Sequence, residues 1–116
     1  MSAPGSFRSG SSLAYALSVT NASVAATLPV GFVGGGGVAR VSNSGASNVF
    51  VVFGVGVQTA VLPATGAPPV GQAGFMCLKG NTTYVDIPAN CDSFAAIGDA
   101  AGPSVIYVHR GEGNGP

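Results

Sequence analysis

The chain reads as an all-β domain, an antiparallel β-sandwich or jelly-roll/barrel of about eight short strands. Three observations predict this. Short runs of β-branched and aromatic residues recur along the chain, and such residues pack best on a pleated surface. Clusters of Gly, Pro, Asn, Asp and Ser interrupt those runs every eight to twelve residues or so, as in sandwiches and barrels. No segment carries the apolar spacing of an amphipathic helix. The stretch Phe94 to Asp99 is the one place where a helical turn would fit.

Residues 1–12 are rich in Ser and Gly and read as a flexible arm. The β-sandwich domain is expected over residues 13–109. In Leu13 to Val19, the residues Leu13, Tyr15, Leu17 and Val19 share one face of a period-2 strand. Thr20 to Ser23 is a turn, and Val24 to Leu28 a second strand ended by Pro29. The glycine run up to Gly37 reads as a mobile loop. An anion cradle would need a following helix, and Val38 opens a strand instead.

The most informative stretch is Arg40 to Gly54. Val38 and Val41 precede a turn over Ser42 to Asn48, and Val49, Phe50, Val51, Val52 and Phe53 follow it. The pattern predicts a β-hairpin with Val49 to Phe53 as a central strand. Successive strand residues point to opposite faces. Both faces of this strand are therefore apolar, and the face away from the core needs a second layer or a second molecule.

Val55 to Leu62 is expected to extend or re-pair the sheet, with a bulge or bend at Gly54 and Gly56. Pro63 to Pro69 is a loop by its prolines. Further strands are expected over Val70 to Leu78, Thr83 to Ile87, Ser93 to Ile97 and Ser104 to His109. Residues 110–116 read as a Gly-rich polar tail.

Composition narrows the function. A chain of 116 residues is one domain by default. Charged residues are 7 % of it, against about 25 % in an ordinary globular protein. A soluble monomer wants charge on its surface, so this balance favours a subunit surrounded by neighbours. The formal net charge is zero, which leaves no electrostatic footprint for nucleic acid. Apolar stretches are broken well before the ~18 residues that a membrane helix needs. Met1 to Ser12 lacks the apolar core of a signal peptide, so synthesis in a cytoplasm is expected. The sequons at Asn21 and Asn81 then read as chance matches.

Chemistry-bearing residues are sparse. His109 is the only histidine and ends a strand with no distinctive partner, so an edge or interface role is expected for it. Asp86, Asp92, Asp99 and Glu112 are scattered, without a paired or calcium-loop spacing. Cys77 and Cys91 with His109 lack the spacing of a zinc site. The two cysteines flank one turn and one strand, so a disulfide is open to them, but a cytoplasmic origin favours reduced, buried thiols. No catalytic, cofactor or metal residue is assigned, and no enzyme is expected.

From Gly37 to Gly113 the chain resembles small virion structural proteins of tailed bacteriophages. The resemblance is carried by Arg40-Val-Ser-Asn-Ser-Gly45, then Val49-Phe-Val-Val-Phe-Gly54, then Thr83-Tyr-Val-Asp-Ile-Pro88. Phe94-Ala-Ala-Ile97 follows, and Val105-Ile-Tyr-Val108 runs into Arg110-Gly-Glu-Gly113. It implies a capsid decoration (cement) or tail-associated component of the virion; a small single domain without coiled-coil heptads favours decoration, in which the chain would bind the major capsid protein and stabilise the head shell. A homo-oligomer, dimer or trimer, is expected because homo-oligomers usually close by symmetry, and no nucleic acid, membrane or cofactor is expected as partner. A tail- or fibre-associated, receptor-binding module is the alternative. Such a site wants exposed aromatics among polar groups, and this chain has no Trp and three Tyr: Tyr15, Tyr84 and Tyr107.

Overall fold

The computed structural model describes residues 8–9, 15–27, 37–63, 74–87 and 91–112. All regular structure among them is β. The strands are β1 (Arg8–Ser9), β2 (Tyr15–Val19), β3 (Val24–Thr27), β4 (Val38–Asn43), β5 (Val49–Gly54), β6 (Phe75–Cys77), β7 (Thr82–Asp86), β8 (Ser93–Gly98) and β9 (Ser104–Glu112). The helical turn admitted at Phe94 to Asp99 is strand β8.

Two antiparallel sheets pack face to face. The first, here the polar sheet, runs β2–β9–β4–β7, with the two-residue β1 continuing the β2 edge along β9. The second, the apolar sheet, runs β3–β8–β5–β6. The pairs β2–β9, β3–β8, β4–β7 and β5–β6 are nested in sequence. A single long antiparallel ribbon is thus rolled up, and β4–β9 and β5–β8 close the roll into two sheets. That is jelly-roll topology, which leaves few edges open.

The core is built by alternation. Val19, Ala39, Val41, Ile106 and Val108 face inward from the polar sheet, and Val49, Val51, Phe94 and Ala96 from the apolar sheet. Phe94 is fully buried and meets Tyr15 edge-on at 5.9 Å and Phe53 at 6.0 Å. Phe53 in turn stacks on Phe75 at 5.8 Å. Offset and edge-on ring contacts of this kind add to the stabilisation from burial alone. Tyr15, Leu17 and Val19 do share the inward face; Leu13 lies outside the described residues.

The hairpin expected between Val38 and Gly54 does not form. β4 pairs with β7 and β9, whereas β5 pairs with β6 and β8. The turn is a corner that carries the chain from one sheet to the other. Three buried polar residues fix it: Asn43, Ser47 and Ser104. Asn43 Nδ2 donates to the carbonyls of Ser47 (2.8 Å) and Cys77 (3.0 Å), and its Oδ1 accepts from Gly45 N (3.1 Å). Its backbone N–H donates to Asn81 O and its carbonyl accepts from Gly80 N. Ser104 Oγ accepts from Ser47 N (2.9 Å) and donates to Ser47 O (3.1 Å). Turn-forming residues suit a corner as well as a hairpin, and these long-range bonds decide between them. β5 is nonetheless central in its sheet, as its apolar run requires.

The outer face of β5 finds its second layer within the chain. Residues 55–63 do not extend the sheet; they leave β5 at Gly54 and cross the outside of the apolar sheet as a strap. Ala60 and Leu62 pack on Phe50, Val52, Ala95 and Ile97. The bend at the start of the strap requires Gly56, whose φ is +75°.

At the other end of the ribbon, β9 runs past His109 to Glu112, and Arg8–Ser9 pairs with it. The ladder Val38↔Gly111 and Ser9↔Gly111 holds this extension through backbone bonds. The glycine run before Gly37, residues 64–73 and the segments 1–7 and 113–116 lie outside the described residues.

Candidate functional site

Charge is partitioned between the two sheets. Residues 41–78 contain no Asp, Glu, Lys or Arg, and neither do β3, β5, β6 or β8. Every charged residue within a strand belongs to the polar sheet: Arg8, Arg40, Asp86, Arg110 and Glu112. Lys79, Asp92 and Asp99 sit in the connections.

The exposed large apolar side chains are unevenly placed too. Val55, Val57 and Val61 project from the strap, exposed to 66, 90 and 53 %. Met76 and Leu78 are also exposed and have the outward parity of β6, where Met76 lies opposite Phe50. Only Tyr15 and Tyr107 among the exposed large apolar residues belong to the polar sheet.

The strap is held in a defined shape. Asp92 Oδ1 accepts hydrogen bonds from Gly56 N (2.9 Å) and Ser93 Oγ (3.1 Å), while Asp92 N donates to Gly54 O (3.2 Å). The bonds to its carboxylate, from Gly56 first and then Ser93, hold the Asp92 carboxyl below the usual carboxylate range. Gln58 Nε2 donates back to the carbonyls of Val55 and Gly56, and Ala60 N donates to Ser23 Oγ at 2.9 Å. Beside the strap lies a cavity of about 280 Å³ lined by Ala25, Ala26, Thr27, Val57 and Ser93. Its walls are apolar with two hydroxyl groups, and no lining residue titrates.

The polar sheet presents a different surface. His109, Arg40 and Tyr84 lie in one cross-strand row, and Ala16, Tyr107, Ser42 and Thr82 in the next. Ser42 Oγ and Thr82 Oγ1 share a hydrogen bond of 3.0 Å. His109 Nδ1 is shielded from solvent and has no hydrogen-bond partner among the described residues. Burial, and then the charge of Arg40, push the His109 pKa down. The His109 imidazole and the Arg40 guanidinium thus share this row.

The remaining sequence candidates are dispersed. Asp99 caps a corner: Asn48 N and Nδ2 donate to its two oxygens at 3.1 and 3.0 Å. Asp86 lies opposite Val38 at an edge. Among the described residues no group of three His, Cys, Asp or Glu could hold a metal. Cys77 and Cys91 are both buried thiols. Cys77 pairs opposite Val49, whereas Cys91 Sγ contacts Gly54 O at 3.3 Å. They sit at opposite ends of β5, roughly 17 Å apart along the strand, far beyond the ~7 Å Cα limit for a bridge.

The exposure of Val55, Val57 and Val61 is not legible while Val55 to Leu62 reads as a strand. The signal was Gly54 and Gly56 bracketing Val55, a spacing that a regular ladder does not favour. No protein-family model, no curated protein and no solved structure matches this chain, so its surface chemistry and topology carry the functional argument.

Proposed function

We propose that this chain is a structural protein of a phage particle, a capsid decoration (cement) protein that binds the major capsid protein and stabilises the head shell. The observation that carries the reading is the partition of charge: among the described residues the strands of one sheet carry no charge and the strap across it exposes three valines, while the strands of the other sheet are polar. A contiguous exposed apolar surface marks an interaction site. A chain with this little charge is suited to life among neighbours rather than alone. Jelly rolls serve in viral capsids and in lectins alike, so the fold by itself decides nothing about function. Binding only the assembled lattice would stabilise the shell by mass action, in copies that meet as dimers or trimers there.

The tail- or fibre-associated reading draws on one specific feature, the row containing Tyr107 beside the row containing Tyr84 on the polar sheet. Aromatic rings among hydroxyl, guanidinium and imidazole groups are the make-up of a polar receptor site.

Quantitative mass spectrometry of purified particles separates the two. Hundreds of copies per particle support decoration of the head. A handful to a few dozen places the protein at the tail or portal vertex. Absence from purified particles defeats the structural reading.

A further inference from the structure

We propose that the outer edge of β2 pairs antiparallel with the same edge of a second copy of this chain, about a two-fold axis at Leu17, and that the protein is a dimer built on one continuous sheet. The inference names where the copies meet, and it rests on the edge itself rather than on the virion reading.

The ladder of the polar sheet shows which backbone groups β2 has to offer. Ser44 N donates to Val105 O at 2.9 Å and so continues the β4–β9 ladder. In an antiparallel ladder both polar groups of a residue turn to the same neighbouring strand, and successive residues alternate. Val105 and Tyr107 therefore turn to β4, and Ser104, Ile106 and Val108 to β2. Their partners on β2 are Val19, Leu17 and Tyr15. Ala16 and Ser18 are left with N–H and C=O aimed away from the sheet. Both residues are exposed. Among the described residues no strand pairs with this edge, and no hydrogen bond reaches Ala16 or Ser18.

Such a row is a template for another strand. The other sheet edges are guarded: β6 has three residues, β7 carries Asp86, β1 carries Arg8, and Pro29 follows closely on β3. By contrast β2 has five residues with neither charge nor proline. The core is also least covered on this side. Leu17, Val24 and Ala26 are only partly buried and Tyr15 is 38 % exposed, whereas Ile106 and Val108 on the adjoining strand are fully buried.

The occupant follows from the register. With Leu17 on the axis, Ala16 falls opposite Ser18 of the partner subunit. Each such pair exchanges both backbone bonds, about four in all. Leu17 meets the partner subunit's Leu17 at a position without those bonds, where Cα atoms approach to about 4.5 Å and side chains pack most closely. Tyr15 meets the partner's Val19, and no charge is set against a like charge. The edge is thus complementary to itself. The contact is isologous and closes at two copies, and the guarded β7 edge keeps the sheet from growing further.

The test is sedimentation equilibrium of the purified full chain from about 1 to 100 μM, with a dimer expected in that range. Ser18→Pro removes an N–H that makes no bond within the chain, and proline is tolerated where a strand's N–H faces outward. It is expected to weaken the dimer about tenfold or more, with an unchanged circular dichroism spectrum. Thr82→Lys, on β7, is expected to dimerise within about twofold of the parent. Leu17→Cys treated with diamide is expected to give a covalent dimer on a non-reducing gel, because this register brings the two Cα atoms within disulfide range. Ser18→Cys and the parent, whose Cys77 and Cys91 are buried, are expected to give none. A parent chain that stays monomeric, or that forms trimers, overturns the dimer. A dimer that Ser18→Pro leaves intact, or that Thr82→Lys breaks, overturns β2 as the seam. A dimeric Leu17→Cys that does not cross-link overturns the register. Each of these results leaves the virion reading to the copy number in purified particles.

Discussion

Asn43 is the residue on which the architecture turns. It is 2 % exposed, yet each of its polar groups has a partner drawn from the corner, β6 or the β6–β7 turn. A buried amide so fully satisfied specifies one arrangement, because any other would strand its donors and acceptors. Asn43→Ala removes the acceptor of Gly45 N–H and the amide donor to the carbonyls of Cys77 and Ser47, of which Ser47 keeps Ser104 Oγ, and each buried group left unsatisfied costs about 1–3 kcal/mol. We expect a loss of about 3 kcal/mol in urea unfolding, with an unchanged m-value; a loss below about 0.5 kcal/mol would remove Asn43 from this role. His109 makes a second prediction at this scale. Its folded pKa lies below the unfolded value of about 6.5. Between those two values the unfolded chain binds more protons, so stability rises with pH there. Stability should be complete above about pH 6.5 and fall as pH drops toward the folded pKa. His109→Gln should flatten that part of the profile, and an NMR titration placing the His109 midpoint at or above 6.5 would contradict it.

At the scale of elements, sequence and structure agree where the signal is local. The period-2 face of Tyr15, Leu17 and Val19 is legible because alternation alone determines it. The apolar run Val49 to Phe53 is legible as a central strand because no edge position could bury both its faces. The hairpin was illegible. A Ser-Asn-Gly turn reads the same whether it joins neighbours in one sheet or carries the chain across to the other. What distinguishes the two is the bonding of Asn43 and Ser47 to residues 34 and 57 positions away. The strap was misread for a related reason: Val and Leu in sequence announce a strand, but the pairing partners on both sides of β5 were already taken by β6 and β8. Of the candidate surface, its low charge was visible in composition, while its confinement to one side emerged only from the topology. The cysteines supply a prediction here. With β5 separating them end to end, intact-mass measurement without reductant should give the mass of the fully reduced chain. A mass two daltons lower would show a bridge that this topology forbids.

The whole molecule is a two-sided object. One side carries Arg40, Asp86 and the tyrosine rows; the other carries no charge on any strand and shows its valines to solvent. Removing the second layer should be felt globally. Ala60→Asp would press a carboxylate onto Phe50 and Val52, and an unpaired buried charge of this kind destabilises by about 3 kcal/mol or more. Thermal unfolding that leaves Tm unchanged in Ala60→Asp would mean that the strap does not cover the sheet. The most direct measurement of the central claim is a cryo-electron-microscopy reconstruction of the particle at a resolution that distinguishes the two sheets. The account predicts this chain on the head, with Val55, Val57 and Val61 against the shell and Tyr107 and Asp86 toward solvent. A chain seated on its polar sheet with the strap exposed, or one found at the tail alone, would contradict it.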